Sequence, residues 1–182
     1  MNVRTICLSV LFDGEATGYE IRKLLVEGEY SYFIEASFGS IYPALAKLET
    51  DGAVTARIEQ QAGKPAKKIY SISPEGRREF IGSLFDKLGE DEFRSEFLLF
   101  ARFVPELPAS LVQVRLTERL ASIDGAISEM ERMATQHTAP ADCWVLEYGR
   151  TCLVAARNYI KSHMGELLAL AKPDTGIAEA AE

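Results

Sequence analysis

The chain has 182 residues, 47% of them apolar, so it can bury one core or two small ones and is not mainly disordered. Its net charge of −7 excludes a globally basic surface, and no apolar run approaches the ~20 residues that span a bilayer. Cys7, Cys143 and Cys152 are too few and too scattered for a disulfide framework. With His137 and His163 they make no metal-ligand spacing, so buried reduced thiols are expected.

Taken in order, Val3–Phe12 is apolar and ends at Asp13-Gly14. It lacks a small-residue cleavage site and is read as a first core helix of a cytoplasmic protein. Thr17 and Glu20 have capping-box spacing and open a second helix, with Tyr19, Leu24 and Leu25 toward a core, Arg22, Lys23 and Glu27 toward water, and a stop at Gly28. Ser37 can cap a third helix from Phe38 to about Asp51, closed by Gly52, whose Ile41, Leu45 and Leu48 form one buried stripe. Period-2 alternation in Val54–Glu59 and Lys68–Ser73 then predicts two strands around a turn within Gln60–Lys67. Ser73-Pro74-Glu75 opens a fourth helix expected to reach Leu88.

The polar stretch Gly89–Glu92 is the expected domain boundary. A short helix near Phe93–Phe103 follows. Two long helices come next, the first with a seam at Leu116, Leu120, Ile123, Ile127, Met130 and Ala134. The second, about Asp142–Ala171, has a seam at Leu146, Gly149, Leu153, Ala156, Ile160 and Leu167, with Gly149 and Ala156 permitting close helix contact. The fold class predicted is mainly α with a small β-hairpin wing: a winged helix-turn-helix (residues 1–88), an antiparallel helical dimerisation domain (89–171) and a frayed tail (172–182). Two seamed helices leave apolar surface for a second copy, so a homodimer is expected.

Charge is unevenly spread. Residues 1–82 hold 10 basic and 11 acidic side chains, the remainder 10 and 16. From Arg57 to Arg78 six basic residues face only Glu59 and Glu75, and a local patch of this kind can outweigh an acidic total within a Debye length of ~8–10 Å. Double-stranded DNA is therefore the expected partner. Ser37, Ser40, Tyr42, Pro43 and Lys47 would lie on the helix entering the major groove, with small Gly39 and Ala44 allowing close approach, and Lys64, Lys67 and Lys68 would meet phosphates from the wing. Tyr70 is read as structural. Arg77 and Arg78 are read equally as phosphate ligands or as the solvated face of the fourth helix. No phosphate-cradling glycine loop, metal cluster or nucleophile beside a base is found, so neither an enzyme nor a cofactor is expected. The alternative function is a winged-helix protein-interaction module without DNA binding.

Thr17-Gly18-Tyr19-Glu20-Ile21, Gly39-Ser40-Ile41-Tyr42-Pro43-Ala44-Leu45 with Leu48-Glu49 and Gly52, and Tyr70-Ser71-Ile72-Ser73-Pro74-Glu75-Gly76 together resemble the PadR family of transcriptional regulators over residues 3–85. The tail resembles the larger members, whose C-terminal helices mediate dimerisation. The resemblance implies a homodimeric repressor on a palindromic operator, released by a small and often aromatic effector. Ser40, Tyr42 and Lys47 match recognition-helix positions, and Lys64, Lys67 and Lys68 match the basic wing, with lysines where relatives often carry arginines. Trp144, Tyr148 and Tyr159 are candidates for lining an effector pocket or, alternatively, a dimer core.

Overall fold

The computed structural model describes residues 2–26, 30, 38–61, 64–91 and 93–174, which divide into two compact units, Met1–Asp91 and Glu92–Glu182. In the first, α1 (Val3–Asp13) starts at Asn2, whose side chain accepts from the Thr5 N–H. A two-residue strand β1 (Ala16–Thr17) leads into α2 (Gly18–Val26). The capping box forms in full: Glu20 accepts from the Thr17 N–H and hydroxyl, each at 2.8 Å, and Thr17 Oγ1 accepts from the Glu20 N–H. Glu27, Gly28 and Ser37 lie outside the described residues.

The third helix, α3 (Phe38–Thr50), buries Ile41, Leu45 and Leu48 completely against α1 and α2. It ends in a Schellman turn: Ala53 N–H donates to Leu48 O, Gly52 N–H to Glu49 O, and Gly52 takes φ +76°, where a side chain would strain the backbone. Strands β2 (Val54–Gln61) and β3 (Lys64–Ile72) pair antiparallel, and β1 adds to the other edge of β3. This third strand is too short to show period-2 alternation in the sequence. Ser73 caps α4 (Pro74–Ser83): its hydroxyl accepts from Gly76 N–H at 3.0 Å and donates to Gly52 O at 2.7 Å. Helix α4 stops short of the expected Leu88. Ile81, Leu84, Phe85 and Leu88 keep helical spacing but are all exposed, and a turn that buries nothing is not held by packing.

The second unit holds α5 (Glu96–Arg102), a 3₁₀ turn at Val104–Glu106, α6 (Ala109–Ala134) and α7 (Pro140–Ala169). Ser95 accepts from Leu98 N–H and sets the start of α5 later than Phe93. Helices α6 and α7 form an antiparallel hairpin whose core takes Val112, Leu116, Ile123, Ile127 and Ile160. Two seam assignments are corrected. Ala134 is exposed while the longer Met133 is buried, and Ala156 is exposed. Gly149 does allow the close contact expected of it, since a Cβ there would stand 2.9 Å from Met130 Cε. The stretch from Lys172, expected to fray, begins with residues fastened to the unit. Lys172 N–H donates to Leu107 O, Ala109 N–H to Lys172 O, and Asp174 accepts from the N–H and hydroxyl of Ser110.

The thiols are corrected too. Only Cys7 is buried, whereas Cys143 and Cys152 are exposed. Among the described residues no helix is long and apolar enough to cross a membrane.

Candidate nucleic-acid interface

Because α3 commits Ile41, Leu45 and Leu48 to the core, its opposite side is fixed by helical geometry: Gly39, Tyr42, Pro43, Ala46, Lys47 and Thr50 are exposed. Of the expected contacts, Tyr42, Pro43 and Lys47 share this face, and Ser40 is half-buried at its border. Ala44 packs against the core, so Ala46 replaces it as the small residue that permits close approach. Pro43 inside the helix has no N–H to give to Gly39 O.

Tyr42 is held from behind. A Cβ on Gly18 would lie 2.9 Å from its Cε1, so the missing side chain at the start of α2 makes room for the ring. Tyr19, expected in the core, is instead 62% exposed, with the Arg22 guanidinium 5.7 Å from its ring centroid. From α2 the core takes Ile21 and Leu25, with Leu24 partly buried against it.

The wing is less free than its composition implies. Strand alternation sends Lys67 and Lys68 to opposite faces: Lys68 pairs in register with Ile58, and Lys67 with Glu59. On the core side Lys68 Nζ meets Glu49 at 2.6 Å and lies over the Tyr70 ring, and this ion pair raises its pKa. On the other side Arg57 meets Glu15 at 2.5 Å, and the Ser71 hydroxyl donates to the same carboxylate. These two bonds, with Ser71's the larger influence, pull the Glu15 pKa down. Arg78 pairs with Glu75, and Arg77 sits over the Phe12 ring at 4.6 Å. Four of the six cations between Arg57 and Arg78 thus have partners within the chain. Lys47 and Lys67 are exposed; the Glu20 carboxyl, lowered chiefly by its hydrogen bonds from Thr17, also feels the charge of Lys67. The side chain of Lys64 and all of Ser37 lie outside the described residues. Tyr70 is buried, as read from the sequence.

Trp144, Tyr148 and Tyr159 are 68%, 58% and 66% exposed on the side of α7 away from α6. Trp144 and Tyr148 stack at 5.7 Å, and Tyr159 stacks on His163 at 4.2 Å. Tyr148 and Tyr159 are separated by about 16 Å of helix, so the three side chains form a stripe.

A family model for the transcriptional regulator PadR-like family matches residues 7–81, which contain the exposed α3 face and the wing but not the aromatic stripe of α7. The negative transcriptional regulator PadR of Bacillus subtilis is 30% identical over 125 residues, 68% of each chain. This chain belongs to the PadR-like family of transcriptional regulators. The B. subtilis PadR structure in complex with operator DNA aligns with a TM-score of 0.73 at 25% identity, covering 90% of this chain and 98% of that one. The PadR-like regulator BC1756 from Bacillus cereus aligns at 0.77 and 25%, covering 92% and 99%. The same B. subtilis protein in complex with p-coumaric acid shares the fold at 0.67 and 23%, covering 91% and 99%. The fold is therefore the winged helix-turn-helix with a C-terminal helical region. The relatives are transcriptional regulators, not enzymes.

Proposed function

We propose that this PadR-like regulator acts in the cytoplasm as a homodimeric repressor, gripping a palindromic operator in double-stranded DNA and leaving it when a small molecule binds. Residues 1–88 serve as the DNA-binding domain and 89–171 as the dimerisation domain. The observation that carries the reading is the exposed face of α3, where Tyr42, Pro43, Ala46 and Lys47 stand opposite a fully buried apolar stripe. Such a face offers a hydroxyl and an ammonium group to the edges and phosphates of a major groove. Lys67, with Lys64 near it in sequence, supplies the wing contact. Lys68 contributes only where a phosphate competes with Glu49. Operator binding by B. subtilis PadR and its complex with p-coumaric acid support the corresponding steps here.

The second subunit covers the outer stripe of α7. That helix is apolar on two sides, one spent on α6 and the other carrying Trp144, Tyr148 and Tyr159. The test is fluorescence anisotropy on the DNA upstream of the chain's own gene across a salt series. Lys47→Ala and Lys67→Ala should each make the slope of log affinity against log salt shallower by about 0.9 for every phosphate no longer neutralised, and by about twice that in a dimer. Unchanged affinity and slope in both variants would refute the interface.

A further inference from the structure

Lys68 of the wing is tied to the helix that would enter the groove. Its Nζ meets Glu49 of α3 at 2.6 Å, and the two side chains stay 45% and 36% exposed. Glu49 follows Tyr42 by seven residues, so the two stand within about 20° of each other around the helix, two turns apart. Across the ladder from Lys68, Ile58 shares its face and is 70% exposed, so this side of the wing is open to a ligand as large as a duplex. The ion pair thus spans the gap between α3 and the hairpin. With α3 in a major groove and the hairpin beside it, a phosphate strand passes through that gap. Glu49 also sits in the last turn of α3, which ends at Thr50, where the helix dipole disfavours an anion. Its charge does not help its own helix; what it engages is the wing ammonium.

We propose that Glu49 occupies the place of a backbone phosphate: it holds Lys68 in the free protein, and every duplex that binds must displace it. The inference rests on the DNA-binding reading above and gives that reading a residue that limits affinity. The exchange is feasible because an ion pair this exposed is only weakly held in water and salt. It is also costly, because the displaced carboxylate stays beside the phosphate that replaced it, and like charges repel. Glu49 and Lys68 together bring no net charge to the backbone, whereas Lys68 alone would neutralise one phosphate and release its counterion. Phosphates carry no sequence information, so the brake acts on any duplex, and selection is left to the exposed face of α3.

The test is fluorescence anisotropy with the full chain on two labelled duplexes across a salt series: the DNA upstream of the chain's own gene, and a scrambled duplex of the same composition. Glu49→Gln should bind both roughly fivefold more tightly per subunit at physiological salt, and its slope of log affinity against log salt should steepen by up to about 0.9 per subunit. Lys68→Ala should abolish the gain, so that the double variant Glu49→Gln, Lys68→Ala matches Lys68→Ala alone. A pair that merely braces the wing predicts the opposite, a lower melting temperature and weaker binding in Glu49→Gln, and that result would overturn the proposal. So would unchanged affinity, or a gain that persists without Lys68, which would report only the lost negative charge. The wild type's preference for the upstream duplex decides the regulator reading separately. If it binds both duplexes alike and still gains from Glu49→Gln, the operator reading falls and the brake stands; if no variant binds either duplex, both fall.

Discussion

In the proposed DNA interface Tyr42 is the most finely placed residue, because its ring is seated against a glycine. Gly18→Ala should improve the helix propensity of α2 slightly while pushing the Tyr42 ring out of position. We expect the melting temperature to change little and operator affinity to fall several-fold, with Tyr42→Ala reproducing the loss; normal affinity in Gly18→Ala would separate the ring's seat from its role. Cysteine chemistry gives an independent check. Burial pushes the Cys7 thiol from 9.0 up to about 12. The native chain should therefore show Cys7 inert to a thiol reagent at neutral pH and reactive only on unfolding, whereas exposed Cys143 reacts at once. Rapid native labelling of Cys7, read by peptide mass spectrometry, would contradict the packing of α1. Composition cannot sort these thiols, since local sequence does not say which long-range neighbours will cover them.

Among the elements, those whose stabilising contacts are local are legible in the sequence and those that depend on distant partners are not. The capping box at Thr17, the Ser73 cap, the Gly52 closure and the α3 stripe each lie within a few residues of sequence, and each forms. Composition overstates the free charge of the wing because Glu15 and Glu49, which occupy Arg57 and Lys68, come from outside the basic stretch. Spacing carries α4 too far because it cannot show that Leu84, Phe85 and Leu88 stay exposed.

One inter-element clasp predicts an acid response. Arg4 of α1 bonds both Glu79 oxygens on α4 and also Asp51 beyond α3, and it holds the Glu79 carboxyl below its ordinary 4.5. A lowered carboxylate binds fewer protons folded than unfolded, so its stabilisation is present above the unfolded value and lost as pH falls through the folded one. The denaturation midpoint should drop as pH falls below the ordinary carboxylate value of 4.5, and Glu79→Gln should flatten that drop. An identical pH profile in the variant would show that the clasp contributes nothing.

For the whole molecule, the proposed function depends on two chains presenting two α3 faces at a fixed separation. The aromatic stripe on α7 is the surface proposed to join them, so Tyr148→Lys should favour monomers without melting the hairpin. Light scattering should read a dimer for the wild type and a 20.1 kDa species for the variant, whose operator affinity falls with it. A wild-type monomer at micromolar concentration would remove the dimer from the account.

The most direct measurement is a hydroxyl-radical footprint on the DNA upstream of the gene. Two symmetric protected half-sites, centred about 10 base pairs or a small multiple of that apart, are predicted, with protection lost in Lys47→Ala at physiological salt. A single unsymmetric footprint, or protection that survives removal of the exposed α3 side chains, would contradict the claim that paired recognition helices carry the binding.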